Sequence, residues 1–260
     1  MDIRRCATPI QLLHTQKPRK AILAIHGYAG YPGEMALPAR LLYEQGFDVF
    51  AIRLPGHGTF GKDFNTTRKE DWLGAAEKEL LRLQELYEEV SLVGHSMGGT
   101  ISIILCAKYQ IATSVLYAPA LTIPKLNHTL ISCLAFFNVK LPSGWKADSR
   151  YQFFDERDSD DDAFLGKEYW SILYMKQLRQ LSLLMKEANH VVGDTTTNFL
   201  VLTGKEDATI GPLDGKKIVE LGKGNNNWIH YEKGTHLIQY DIDDKTRNDA
   251  MTATVEWLSV

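Results

Sequence analysis

Val90-Ser91-Leu92-Val93-Gly94-His95-Ser96-Met97-Gly98 is an apolar run that breaks at a glycine, presents a serine and passes at Met97 into a second apolar stretch reaching Tyr109. The first part has the nearly continuous apolar character of a strand covered on both faces. The second part reads as a buried helix. Between them, Gly94-His95-Ser96-Met97-Gly98 has the form G-x-S-x-G, in which the serine occupies a sharp, strained strand-to-helix turn. Small residues two before and two after the serine suit that turn, because strand and helix approach too closely for a side chain. The flanking strand and helix separate this pentapeptide from chance occurrences of the pattern, and they point to an α/β chain with a mostly parallel sheet.

Outward from this turn, strands and helices alternate. Ala21 to His26 is an apolar run ending in His-Gly. Glu34 to Gln45 places Met35, Leu37, Leu41 and Leu42 among polar residues and stops at Gly46, a natural helix C-cap residue. Asp48 to Arg53 reads as a strand that ends in the turn-rich Leu54-Pro55-Gly56-His57-Gly58. From Glu70 to Glu89, Trp72, Leu73, Ala76, Leu80, Leu83 and Leu86 recur at helical spacing. Thr113 to Tyr117 is another strand. Four such alternations imply βαβ units with right-handed crossovers and helices on both faces of the sheet.

The rhythm fails from about Ala120 to Asp194, where helical patterns at Thr129 to Phe137 and Lys167 to Ala188 bracket a polar, acidic stretch. It resumes with a strand at Phe199 to Gly204, a helix at Asp214 to Leu221, a strand at Trp228 to Tyr231 and a helix at Lys245 to Leu258. The expected organisation is a core of residues 1–120 and 194–260, with residues 121–193 as a helical insertion lying over the sheet.

A chain of 260 residues, 44% hydrophobic and 23% charged, suits one such domain. Its net charge of −3 supplies no basic field for nucleic acid or an anionic membrane. Cys6, Cys106 and Cys133 are odd in number and widely spaced, which fits free thiols better than a disulfide framework or a zinc site. Arg4 and Arg5 are followed by no apolar segment, and no run of membrane-spanning length occurs. The expectation is a cytoplasmic monomer or small homo-oligomer without stable membrane insertion.

A serine hydroxyl becomes an effective nucleophile when an imidazole accepts its proton and a carboxylate orients that imidazole. With a G-x-S-x-G turn, acid and histidine are expected to follow the serine in that order, on loops at the carboxyl ends of strands. The strand ending at Gly204 is followed by Lys205-Glu206-Asp207. Asp207 is the candidate over Glu206 because it is more distal and precedes a turn. Asp214 opens a helix, which suits capping. Of eight histidines, His236 lies in the Lys233-Gly234-Thr235-His236 loop before the last helix, whereas His230 lies within a strand and His14 near the N-terminus. His57 reads as a structural hydrogen-bonding residue. His95 either lines the site or packs beneath the turn. The oxyanion donors are expected to be the backbone N–H of Met97 and, in the loop after Ala21 to His26, that of Tyr28.

His26-Gly27, Leu54-Pro55-Gly56-His57-Gly58, Gly94-His95-Ser96-Met97-Gly98, Asp207 and Gly234-Thr235-His236 together resemble the α/β-hydrolase superfamily over nearly the whole chain. Within it the chain is similar to bacterial carboxylesterases and monoacylglycerol lipase-like enzymes, which carry a short helical cap after the sixth strand of the standard fold. The resemblance implies a small-molecule ester substrate with a short- to medium-chain acyl group, or a monoacylglycerol. No metal or cofactor is needed. Acyl transfer, thioester or amide cleavage by the same triad stays open, as does a non-catalytic binding protein on this fold.

The insertion is rich in aromatics, among them Phe136, Phe137, Trp145, Tyr151, Phe153, Phe154, Phe164, Tyr169, Trp170 and Tyr174. Some are expected to form the cap's own core and some to wall an acyl pocket. The acidic run from Asp155 to Asp162 reads as a solvated, mobile loop in preference to a calcium site.

Overall fold

The computed structural model describes residues 3–124, 126–146 and 159–259. In chain order, the first half comprises β1 (Ile10–Leu12), β2 (Lys20–Ile25), α1 (Ala36–Glu44), β3 (Asp48–Ile52), α2 (Gly61–Phe64), α3 (Lys69–Leu86), β4 (Glu89–His95), α4 (Met97–Lys108) and β5 (Thr113–Tyr117). The insertion contributes α5 (His128–Phe136), β6 (Lys140–Pro142), α6 (Ser159–Leu165), β7 (Ile172–Tyr174) and α7 (Met175–Val191). The chain then continues through β8 (Asn198–Gly204), α8 (Asp214–Leu221), β9 (Asn227–Tyr231) and α9 (Asp244–Leu258).

The main sheet has seven strands in the order β1-β3-β2-β4-β5-β8-β9. Every pairing is parallel except that of β1 with β3. The central strands are buried on both sides, including Ala21 to Ile25, Val90 to His95 and Phe199 to Gly204. This is why they read as continuous apolar runs. In α3, Trp72, Ala76, Leu80 and Leu83 form the buried stripe, while Leu86 emerges at the helix end. Gly46 ends the segment after α1 with φ +90°, a conformation costly for other residues.

Register sets where the loops emerge. Ile25 pairs with Gly94, His95 with Tyr117, Tyr117 with Leu202, and Gly204 with Tyr231. Because these strands run parallel, the segments that follow β2, β4, β8 and β9 leave from one edge of the sheet. That edge is where a parallel sheet can gather residues far apart in sequence.

Two features of the insertion differ from the sequence reading. The stretch read as a helix from Lys167 to Ala188 starts with a π-turn at Gly166–Trp170 and the strand β7, and α7 begins only at Met175. Its apolar residues Ile172 and Tyr174 pair with Pro142 and Lys140 of β6, a long-range partner that local periodicity does not register. The acidic run is the second: Ser159 to Asp162 open α6, and Asp161 is buried with its Oδ2 accepting from Cys6 N–H at 3.4 Å. Asp155 to Asp158, like Tyr151, Phe153 and Phe154, lie outside the described residues. The edge strand β1 was not read from sequence, since three half-exposed residues carry too little pattern.

Candidate active site

Ser96 stands between β4 and α4 with φ 51° and ψ −112°. A side chain in so sparsely populated a region costs about 1–3 kcal/mol and persists only when its surroundings over-determine it. They do so here. Ser96 N–H donates to the Tyr117 carbonyl at 2.9 Å, and the Ser96 carbonyl accepts from Thr100 N–H at 3.1 Å and Ala120 N–H at 3.3 Å. The flanking glycines are required sterically. A Cβ on Gly94 would lie 2.5 Å from the Gly98 carbonyl oxygen, and one on Gly98 would lie 2.0 Å from that of Ile25.

Three residues separated in sequence meet at this edge. His236 Nε2 is 3.0 Å from Ser96 Oγ, and His236 Nδ1 is 2.7 Å from Asp207 Oδ2. Asp207 Oδ1 accepts from the N–H groups of Thr209 at 2.7 Å and Ile210 at 3.2 Å. Burial pushes the Asp207 carboxyl up, but the His236 hydrogen bond and charge with these two N–H donors more than offset it and hold it below the usual range. A carboxylate at Nδ1 fixes the proton there and leaves Nε2 free to accept from Ser96. The loops bearing acid and histidine touch through their backbones: a Cβ on Gly204 would sit 2.0 Å from the Gly234 carbonyl oxygen.

Met97 is the first residue of α4, so its N–H has no intrahelical partner. Among the described residues neither it nor Tyr28 N–H has an acceptor. The Gly27-Tyr28 loop abuts the serine, since a Cβ on Gly27 would lie 3.4 Å from Ser96 Cβ. The Tyr28 ring packs edge-on against Phe64 and Trp72, which anchors the loop to the core.

The other histidines divide by partner. His26 donates from Nδ1 to the Gly27 carbonyl at 2.9 Å and accepts at Nε2 from Leu54 N–H at 3.1 Å. Burial lowers it to about 4, so it is neutral. His57 packs against His26, Phe64 and Trp72, and burial likewise holds it well below its ordinary value. His95 is buried beneath the turn against Glu34, which sequence reasoning treated only as part of a helix. No local signal announces that contact between residues 61 apart.

The insertion meets the core at the same edge. Trp170 Nε1 donates to the Ala29 carbonyl at 3.1 Å, and Tyr169 Oη to that of Gly56 at 2.9 Å. Asp214 is the first residue of α8, not its N-cap. Its carboxylate accepts from the N–H groups of Leu121 and Thr122 at 3.0 and 2.7 Å, tying down the start of the insertion. Of the aromatics, Tyr169 and Tyr174 are buried against Phe64, whereas Phe136 and Phe137 are exposed.

This architecture is the α/β-hydrolase fold, a mostly parallel sheet with helices on both faces. Residues 16–243 match the family described as serine aminopeptidase, S33, and the chain belongs to that hydrolase family. It is 33% identical over 84 residues to a thermostable monoacylglycerol lipase of Bacillus sp. (strain H-257), a stretch covering 32% of this chain and 34% of that protein. Over 87 residues it is 32% identical to a carboxylesterase of Bacillus subtilis (strain 168), covering 33% and 35%. The matched stretches thus span about a third of these relatives' length. The structure of a metagenome-derived lipolytic enzyme shares the fold with a TM-score of 0.81 at 20% identity, over 98% of this chain and 99% of that one. Among the described residues no helix is long and apolar enough to cross a membrane.

Proposed function

We propose that this protein is a serine hydrolase that cleaves carboxylic esters, of short- to medium-chain acids or as monoacylglycerols, through an acyl-enzyme on Ser96. The observation that carries the reading is the hydrogen-bonded chain from Asp207 through His236 to Ser96. The partial identity to a monoacylglycerol lipase and a carboxylesterase supports the ester class.

In the first step Ser96 Oγ attacks the ester carbonyl as its proton passes to His236 Nε2. Asp207 stabilises the imidazolium that forms. The negative oxygen is received by the N–H groups of Met97 and Tyr28, donors without competing acceptors among the described residues. His236 then gives its proton to the departing alkoxide, leaving an acyl-serine and a free alcohol. In the second step His236 takes a proton from water, whose oxygen attacks the acyl carbon, and returns it to Ser96 as the acid leaves.

Residues 121–193 act as the cap over this site, on a core of residues 1–120 and 194–260. The protein works in the cytoplasm as a monomer or small homo-oligomer, a placement supported by its free cysteines.

Ser96→Ala is the test, with p-nitrophenyl esters from acetate to palmitate and monoacylglycerols as substrates. The expected loss in kcat is roughly 10⁴-fold or more, together with loss of fluorophosphonate labelling. Undiminished hydrolysis by folded Ser96→Ala protein would refute the assignment. Faster turnover of aminoacyl anilides than of any ester would move the substrate to the amide class that the family description names.

A further inference from the structure

His95 directly precedes Ser96 and is 3% exposed. Its Nδ1 lies 3.2 Å from Glu34 Oε2, and its Nε2 lies 3.0 Å from the main-chain oxygen of His236. The main-chain oxygen of His236 is an acceptor only, so Nε2 carries a hydrogen and donates to it. The Nδ1–Oε2 contact holds one proton between ring and carboxyl. Both ring nitrogens are thus engaged, one by each loop.

Glu34 bridges His95 to a second loop. Its Oε2 also accepts from Gly27 N–H at 3.0 Å, the residue before the Tyr28 N–H. Burial pushes the Glu34 carboxyl up, and hydrogen bonding and charge from His95, with the Gly27 bond, more than offset this and hold it below the usual range. The remaining titratable groups around His95 are His26, kept neutral by burial, and the His236 ring, whose centroid is 5.1 Å away with Asp207 behind it.

Side chains that follow His236 already fasten it to the backbone around Glu34. Gln239 Nε2 donates to the Glu34 carbonyl at 3.4 Å, and Tyr240 Oη accepts from Leu37 N–H at 2.7 Å. The Glu34–His95 pair adds ties to Gly27 N–H and to the carbonyl of His236 itself. We infer that His95, hydrogen-bonded to Glu34, is a positioning residue that locks the Gly27-Tyr28 oxyanion loop to the main chain of His236 across the back of Ser96. The inference rests on the serine-hydrolase reading and adds two residues that act through others, not on the substrate.

The positioning role is read by kcat, KM and the rate of fluorophosphonate labelling in Glu34→Gln and His95→Asn. Both variants are expected to lower kcat and labelling roughly 10- to 100-fold with KM within about threefold, as for a contact that matters in the transition state. Folded variants with wild-type labelling rates, or a loss confined to KM, would overturn it. A wild-type chain that labels normally beside unaffected variants defeats the inference alone. A wild-type chain that neither labels nor hydrolyses esters defeats the hydrolase reading and the positioning role with it.

Discussion

The sheet edge around Ser96 and the insertion that meets it are held by different kinds of contact. At the edge, backbone touches backbone: a Cβ on Gly98 would come within 2.0 Å of the Ile25 oxygen, and one on Gly204 within 2.0 Å of the Gly234 oxygen. The insertion also comes close at Gly61, where a Cβ would lie 2.5 Å from the Glu168 oxygen, but it adds many side chains reaching backbone, as with Trp170 to Ala29, Tyr169 to Gly56, and Gln177 Nε2 to the Phe64 and Thr67 carbonyls at 2.7 Å each. The first arrangement has no slack, because fixed atoms would overlap. The second is graded, because each hydrogen bond contributes about 1 kcal/mol net and can be lost singly. A rigid turn at Ser96 is thus combined with an insertion whose attachment is adjustable.

Gly98→Ala attacks the tight region and carries the largest expected effect. No flexible side chain can yield, so the substitution should cost at least about 4 kcal/mol or prevent folding, read by expression and chemical denaturation. A folded Gly98→Ala protein with a wild-type midpoint would erase the contrast.

Acid tests the same edge through His26. Burial sets its folded value at about 4 against an ordinary 6.5, so between these the unfolded chain binds the proton and the folded chain does not. Stability is therefore full above pH 6.5 and falls as pH drops toward 4, by about 3 kcal/mol at 1.36 kcal/mol per unit. His57 shifts in the same direction. Urea midpoints at pH 7 and 4.5 measure this, and a flat profile would mean that the edge is open to water.

Smaller changes are expected in the insertion. Gln177→Ala removes a donor from the Phe64 carbonyl, which keeps those of Thr67, and the side-chain donor of the Thr67 carbonyl, and should cost about 1–3 kcal/mol, with faster limited proteolysis of α7. Trp170→Phe keeps a ring and removes only the indole N–H, for about 1 kcal/mol in a thermal scan. If Trp170→Phe proved as damaging as Gly98→Ala, the insertion would belong to the rigid region.

The legible parts of the chain were those with local cause. Central strands appear as apolar runs because both faces are covered, and Gly94 and Gly98 mark the serine turn because no Cβ fits there. The β6–β7 pair escapes because Ile172 to Tyr174 extend only by pairing with residues some thirty positions earlier, and without that partner they read as helix. Asp214 read as a helix cap because its position in α8 is local, whereas its hydrogen bonds to Leu121 and Thr122 cross 93 and 92 residues.

By itself the sequence determined the mostly parallel α/β sheet, the strained turn at Ser96, and the loops from which Asp207 and His236 were chosen. These leave their mark in each segment's own residues, as apolar runs where a strand is covered on both faces and as glycines where no Cβ fits. Only the tertiary structure decided that His95 meets Glu34 and the His236 carbonyl, and that Trp170 reaches Ala29. Side-chain pairings of that kind depend on how parallel strands bring distant loops to one edge, a geometry set by register across the whole sheet.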